Sequence, residues 1–207
     1  MNLIYNIAWC IAWPFFNLLF PTKCVGLENI PEGSALLCAN HTSYLDPVML
    51  AIAIRLKNAP CFMAKAELMR VPVLGWLIKK FGAFGVKRGM SDLAAIKHAD
   101  ELLRAGRKVA LFPQGTRVKK GRDNRAKSGA VRLAVSSGAP LIPVFIPEKK
   151  RLFRINTVIV GKPYYMEPDL TNFAELRSLA DELLNKIFDL GEERNMYLLN
   201  PRKERSQ

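Results

Sequence analysis

Ala35-Leu36-Leu37-Cys38-Ala39-Asn40-His41-Thr42-Ser43-Tyr44-Leu45-Asp46-Pro47-Val48-Met49-Leu50-Ala51-Ile52-Ala53-Ile54 runs from an unbroken apolar stretch through a polar turn into a second apolar stretch headed by Asp-Pro. The first run, Ala35 to Ala39, is short and continuous, which reads as a buried strand. Aspartate is a good N-cap and proline is favoured at the first helical position, so Asp46 to Ile54 reads as a helix.

The same alternation continues along the chain. Pro60 to Ala64 reads as a strand. Val71 to Phe81 is rich in Val, Leu, Ile and Trp and reads as a core helix, with a membrane-touching face as the competing reading. Gly82 to Arg88 reads as a weak strand. Ser91 to Ala105 has helical periodicity, with Ser91 as cap and Gly106 as stop. Lys108 to Phe112 is a strand, Ala126 to Ser137 a helix, and Leu141 to Ile146 and Thr157 to Val160 are strands. Phe173, Leu176, Ala180, Leu183, Leu184 and Ile187 form an amphipathic stripe that ends at Gly191. The predicted fold class is α/β: a single domain with a mixed, largely buried sheet flanked by helices, plus an N-terminal apolar membrane-associating helical segment. The expected divisions are 1–22 for that segment, 23–195 for the domain and 196–207 for a polar basic tail.

The first 22 residues carry no charged side chain, and Leu3 to Phe20 is almost wholly apolar. No basic n-region or small-residue cleavage site marks a signal peptide. Asn6 and Asn17 intrude and Pro14 interrupts a helix, so the segment reads as dipping into one leaflet, anchored by Tyr5, Trp9 and Trp13. A buried core helix and a single span are the competing readings. Across all 207 residues the formal net charge is +13, which points to an anionic partner such as nucleic acid, an acidic membrane surface or phosphorylated molecules. Cys10, Cys24, Cys38 and Cys61 lack metal-site spacing, so no metal is expected.

His41 follows a strand end, and a neutral-range imidazole is the usual general base. Asp46 lies five residues on. On a continuous helix their side chains would point roughly 140° apart, so a turn through Thr42 to Leu45 is needed for contact. The aspartate has two readings, helix cap or partner of the imidazole, and the spacing leaves both open. Phe112-Pro113-Gln114-Gly115-Thr116-Arg117 follows another strand, at the end where open α/β sheets place ligands. Arg117, Lys119, Lys120, Arg122, Arg125 and Lys127 face one acid, Asp123, within the same stretch. No aromatic residues interleave with that run as stacking platforms, so nucleic acid is not the expected partner. His98 reads as a surface histidine.

Asn40-His41-Thr42-Ser43-Tyr44-Leu45-Asp46, Gly82-Ala83-Phe84-Gly85-Val86-Lys87-Arg88, Phe112-Pro113-Gln114-Gly115-Thr116-Arg117 and Leu141-Ile142-Pro143-Val144 occur in that order. Together they resemble the four acyltransferase blocks of the 1-acyl-sn-glycerol-3-phosphate acyltransferase (lysophosphatidate acyltransferase) family, from about Val25 to about Gly161. The resemblance implies transfer of a fatty acyl group from acyl-coenzyme A or acyl-carrier protein to the sn-2 hydroxyl of lysophosphatidate. It makes His41 the general base and Asp46 its orienting partner. It assigns Arg88, Gly115, Thr116 and Arg117, with Lys65, to the acceptor phosphate, counts Gln114 among the substrate-binding residues, and puts Pro143 on the acyl-donor side. Gln114 stands where the family usually has glutamate, which keeps size and one acceptor oxygen but removes the charge. If the family carboxylate orients the arginine, acceptor binding is altered here.

The implied reaction needs no cofactor beyond the acyl-donor co-substrate, because a thioester is already activated. The expected location is the cytoplasmic face of the cell membrane, on an anionic leaflet. Competing functions are acylation of another acceptor (glycerol 3-phosphate, a lysophospholipid or an amino-acid lipid) and non-catalytic binding of anionic lipid or nucleic acid.

Overall fold

Strand β2 (Ala35–Ala39) sits near the middle of a seven-stranded sheet, and all five of its residues are buried. The structure, a computed structural model, describes residues 13–70, 83–86, 93–118 and 125–199. The remaining strands are β1 (Thr22–Val25), β3 (Cys61–Lys65), β4 (Phe84–Val86), β5 (Lys108–Leu111), β6 (Leu141–Phe145) and β7 (Asn156–Val160). Their spatial order is β1-β7-β6-β2-β5-β3-β4. From β6 to β4 every pairing is parallel. β7 runs antiparallel to β6, and β1 pairs parallel with β7, so the sheet is mixed as expected.

Alternation along β2 explains the layers. Ala35, Leu37 and Ala39 face one side, where Met49, Leu50, Ala53 and Ile54 of α1 (Asp46–Ile54) cover them. Leu36 and Cys38 face the other side, in a cluster with residues of α2 (Leu93–Arg104), α3 (Gly129–Ser137) and α4 (Phe173–Leu199). A strand covered on both faces must be apolar at every position, hence the unbroken run. α2 closes in a Schellman turn at Gly106: Arg107 N–H bonds Leu102 C=O at 2.9 Å and Gly106 N–H bonds Leu103 C=O at 2.9 Å.

Three expectations change. β1 was not foreseen, because an edge strand of alternating exposure has no apolar run. α3 begins at Gly129, later than the predicted Ala126. α4 continues through Gly191, the expected stop, to Leu199. A Cβ at Gly191 would lie 2.5 Å from the Phe145 ring, so this glycine serves close helix-to-sheet packing.

At the amino end, residues 13–19 are helical. Phe16 and Phe20 pack against the core, whereas Trp13, Phe15 and Leu18 are exposed. Among the described residues no helix is long and apolar enough to cross a membrane. The Val71 to Phe81 segment, Arg88 and the Ser91 cap lie outside the described residues.

Candidate functional site

The parallel strands all end on one edge of the sheet, and the loops after β2, β5 and β6 converge there. β2 ends where Asn40, fully buried, uses its side chain to extend the ladder. Asn40 Nδ2 donates to Ile146 C=O at 2.8 Å, and Ile146 N–H donates to Asn40 Oδ1 at 2.7 Å. His41 is thereby delivered to the edge at a fixed height. Its ring stacks on Phe112, the residue after β5, with centroids 4.1 Å apart. Its backbone N–H donates to Gln114 Oε1 at 2.7 Å, and its C=O accepts from Val118 N–H at 2.9 Å. The segment after β5 therefore clamps His41 from both backbone sides.

The turn through Thr42 to Leu45 brings His41 and Asp46 together. His41 Nδ1 lies 2.9 Å from Asp46 Oδ2. The same oxygen accepts Thr42 N–H and Ser43 N–H, each at 2.7 Å. Asp46 Oδ1 is ion-paired with Lys150 Nζ, which also donates to Thr42 Oγ1 at 3.0 Å. Asp46 is not the helix N-cap read from the sequence. Leu45 occupies the cap position without a side-chain bond, and the carboxylate turns back to the N–H groups upstream.

Burial works to raise the Asp46 pKa. Hydrogen bonds from His41 and Lys150, the Lys150 charge and the Ser43 N–H outweigh it and hold the carboxyl below its ordinary range. An ionised carboxylate only accepts hydrogen bonds, so in the neutral imidazole the proton belongs on Nδ1 and the lone pair on Nε2. A neutral imidazole held in this way can act as a general base. Cys38, two residues before Asn40, offers no competing nucleophile: it is fully buried and burial pushes its thiol pKa far up.

Gln114 is buried and its Oε1 accepts the His41 backbone N–H. Gly115 has φ +69°, and a Cβ there would meet Lys127 Cε at 2.8 Å. Thr116 and Arg117 are exposed. Arg117 lies over the Tyr44 ring, 3.4 Å from its centroid, and donates to the Tyr44 hydroxyl at 2.7 Å. Lys65 ends β3 at the same edge of the sheet. His98 is a surface residue, edge-on to Phe84 and 3.7 Å from Glu101, as read. Lys150 and Asn40 were missed. Lys150 is 108 residues from Thr42, and only the β2–β6 pairing brings them together.

A groove of about 620 Å³ lies elsewhere, between α4 and the segment that follows β7. Pro143, Tyr164, Met166 and Leu190 line it, with Glu167, Glu175, Glu182, Asp189 and Glu193 against Lys162 and Lys186. Five acids and two bases suit a polyanionic donor poorly, and no residue of the His41 cluster reaches it.

A strand-end histidine held by a clamped aspartate has the geometry that can take a proton from a hydroxyl or water. The chain belongs to the acyltransferase family, whose profile matches residues 21–147. Within that family it is 33% identical over 176 residues to the 1-acyl-sn-glycerol-3-phosphate acyltransferase of Bacillus subtilis, covering 81% of this chain and 87% of that protein. It is 30% identical over 190 residues to a chloroplastic 1-acyl-sn-glycerol-3-phosphate acyltransferase of Brassica napus, covering 84% of this chain and 51% of the relative. A chloroplastic relative of Arabidopsis thaliana with the same enzyme name is 32% identical over 136 residues, covering 64% and 36%. The chain thus spans about half or less of the two plant proteins and most of the bacterial one. The crystal structure of the 1-acyl-sn-glycerophosphate acyltransferase of Thermotoga maritima has the same fold, with TM-score 0.66 over 92% of this chain and 78% of that chain, at 24% identity.

Proposed function

We propose that this chain transfers a fatty acyl group from an acyl thioester, acyl-coenzyme A or acyl-carrier protein, to the sn-2 hydroxyl of 1-acyl-glycerol 3-phosphate, giving phosphatidate. The observation that carries this reading is the His41–Asp46 pair, 2.9 Å apart at the carboxyl edge of the sheet. The names of the Bacillus and plant relatives supply the acceptor.

In the proposed step His41 Nε2 takes the proton of the acceptor hydroxyl as its oxygen attacks the thioester carbonyl. The carbon–sulfur bond then breaks, and the departing thiolate takes the proton from the imidazolium. Asp46 holds the Nδ1–H tautomer and offsets the imidazolium charge. Lys150 acts through Asp46, holding its other oxygen. Gly115, Thr116, Arg117, Arg88 and Lys65 are assigned to the acceptor phosphate. Gln114 acts at one remove, since it fixes the His41 backbone. Reaction takes place at an anionic membrane surface, expected to be the cytoplasmic one, where the exposed Trp13, Phe15 and Leu18 meet lipid.

The test is an assay of purified protein with both donor carriers, offering lysophosphatidate, glycerol 3-phosphate and a lysophospholipid bearing a head group. Phosphatidate formed from lysophosphatidate at the highest kcat/KM supports the reading. Turnover only with another acceptor overturns the substrate assignment.

A further inference from the structure

The loop between β6 and β7 presents apolar side chains to solvent and is held rigid in doing so. Leu152, Phe153 and Ile155 are 55%, 67% and 62% exposed. Phe153 sits at φ +54°, a left-handed conformation that is uncommon for a bulky residue and is retained where the surroundings enforce it.

The enforcing group is Asn156, whose residue is 2% exposed. Its Oδ1 accepts Arg151 N–H at 2.8 Å, and its Nδ2 donates to the carbonyls of Arg151 and Arg154, both at 2.9 Å. One buried amide thus closes the loop on itself. A loop serving only to connect two strands has no need of such a clamp around three exposed apolar residues.

Two further observations indicate what the loop meets. Phe153 N–H donates to Leu19 C=O at 2.8 Å, and Asn156 N–H to Pro21 C=O at 2.7 Å. The loop therefore lies against the end of the helical stretch whose Trp13, Phe15 and Leu18 are exposed, and the two apolar sets are neighbours. The flanking charge is basic: Lys149, Arg151 and Arg154 against Glu148 over residues 148–155, with Lys150 turned inward to Asp46. Arg151 and Arg154 are exposed. Apolar side chains bracketed by arginines match an anionic bilayer surface, where the apolar groups enter the acyl boundary and the arginines meet the head groups. A soluble protein partner would not call for continuity with the amino-terminal apolar segment.

We propose that residues 151–155 form a second membrane-docking element, inserting Leu152, Phe153 and Ile155 into an anionic leaflet beside residues 13–19. The loop begins one residue after Lys150, so docking brings the lipid surface up to the His41 edge of the sheet. The proposal deepens the reading of a lipid acyltransferase, yet its test needs no turnover and so stands or falls separately.

The experiment is co-flotation of the full chain with vesicles of phosphatidylglycerol and phosphatidylcholine in equal parts, and with phosphatidylcholine alone. The variants are Leu152→Ser/Phe153→Asn/Ile155→Ser and Arg151→Gln/Arg154→Gln. Asparagine tolerates the left-handed conformation, so the fold should survive, and Phe153→Asn alone serves if the triple variant does not fold. The triple variant is expected to lose about tenfold or more in partitioning to both vesicles. The arginine pair is expected to lose roughly tenfold on anionic vesicles and little on neutral ones. Wild-type partitioning by the folded triple variant (or by Phe153→Asn, if only that folds) overturns the proposal. So does unaltered partitioning combined with loss of self-association in light scattering, which assigns the patch to an interface between copies.

Discussion

Asp46 is a charge with no access to water, and four groups hold it: the His41 imidazole, the Thr42 and Ser43 N–H groups, and the Lys150 ammonium. Removing one partner of a buried pair leaves the other charge uncompensated, which typically costs about 3–5 kcal/mol. Lys150→Met is therefore expected to destabilise the protein by that order, and Lys150→Met/Asp46→Asn by clearly less, because the second change removes the stranded charge. Urea unfolding measures both, and repeating it across pH isolates the aspartate. Its folded pKa is depressed, so its contribution is present above the unfolded value of about 3.9 and fades as pH falls through the lower folded value. Asp46→Asn should lack that part of the acid slope. The histidine–aspartate pair was legible as spacing but not as contact, since the turn that joins them has no unique sequence mark. The lysine was not legible at all, because its partner is distant in sequence and near only through the sheet.

Elements were readable where burial imposes a pattern. β2, β5 and β6 are apolar runs because they lie inside the sheet, and α2 keeps Ala95, Ala99 and Leu103 inward at helical spacing. β1 was invisible because an edge strand paired only with β7 needs no such run. Gly191 misled for a physical reason: glycine marks helix ends by its freedom, yet also sits inside helices where a neighbour comes close. The two roles make opposite forecasts. At an exposed helix interior Gly→Ala gains about 1 kcal/mol from propensity. Against the Phe145 ring, overpacking costs about 1–3 kcal/mol. Gly191→Ala is expected to be net destabilising, with a lowered thermal midpoint. A raised midpoint would show that the ring moves aside freely.

At the scale of the whole molecule, the proposed docking at an anionic surface rests on the +13 charge, the exposed apolar residues of 13–19 and the 151–155 loop, which lie toward the sheet edge that carries His41. The charge excess was plain in composition. Its arrangement was not, since Phe153 and Leu19 meet only in the folded chain. The proposed reaction turns on His41 as the base that accepts the acceptor hydroxyl's proton. The most direct measurement is the rate of phosphatidate formation from lysophosphatidate by purified wild-type and His41→Ala proteins, with unfolding curves to show that both are folded. General-base assistance is worth about 10²–10⁴ in rate, so a loss of that size with retained stability is the expected result. A folded His41→Ala protein that turns over at the wild-type rate would contradict it.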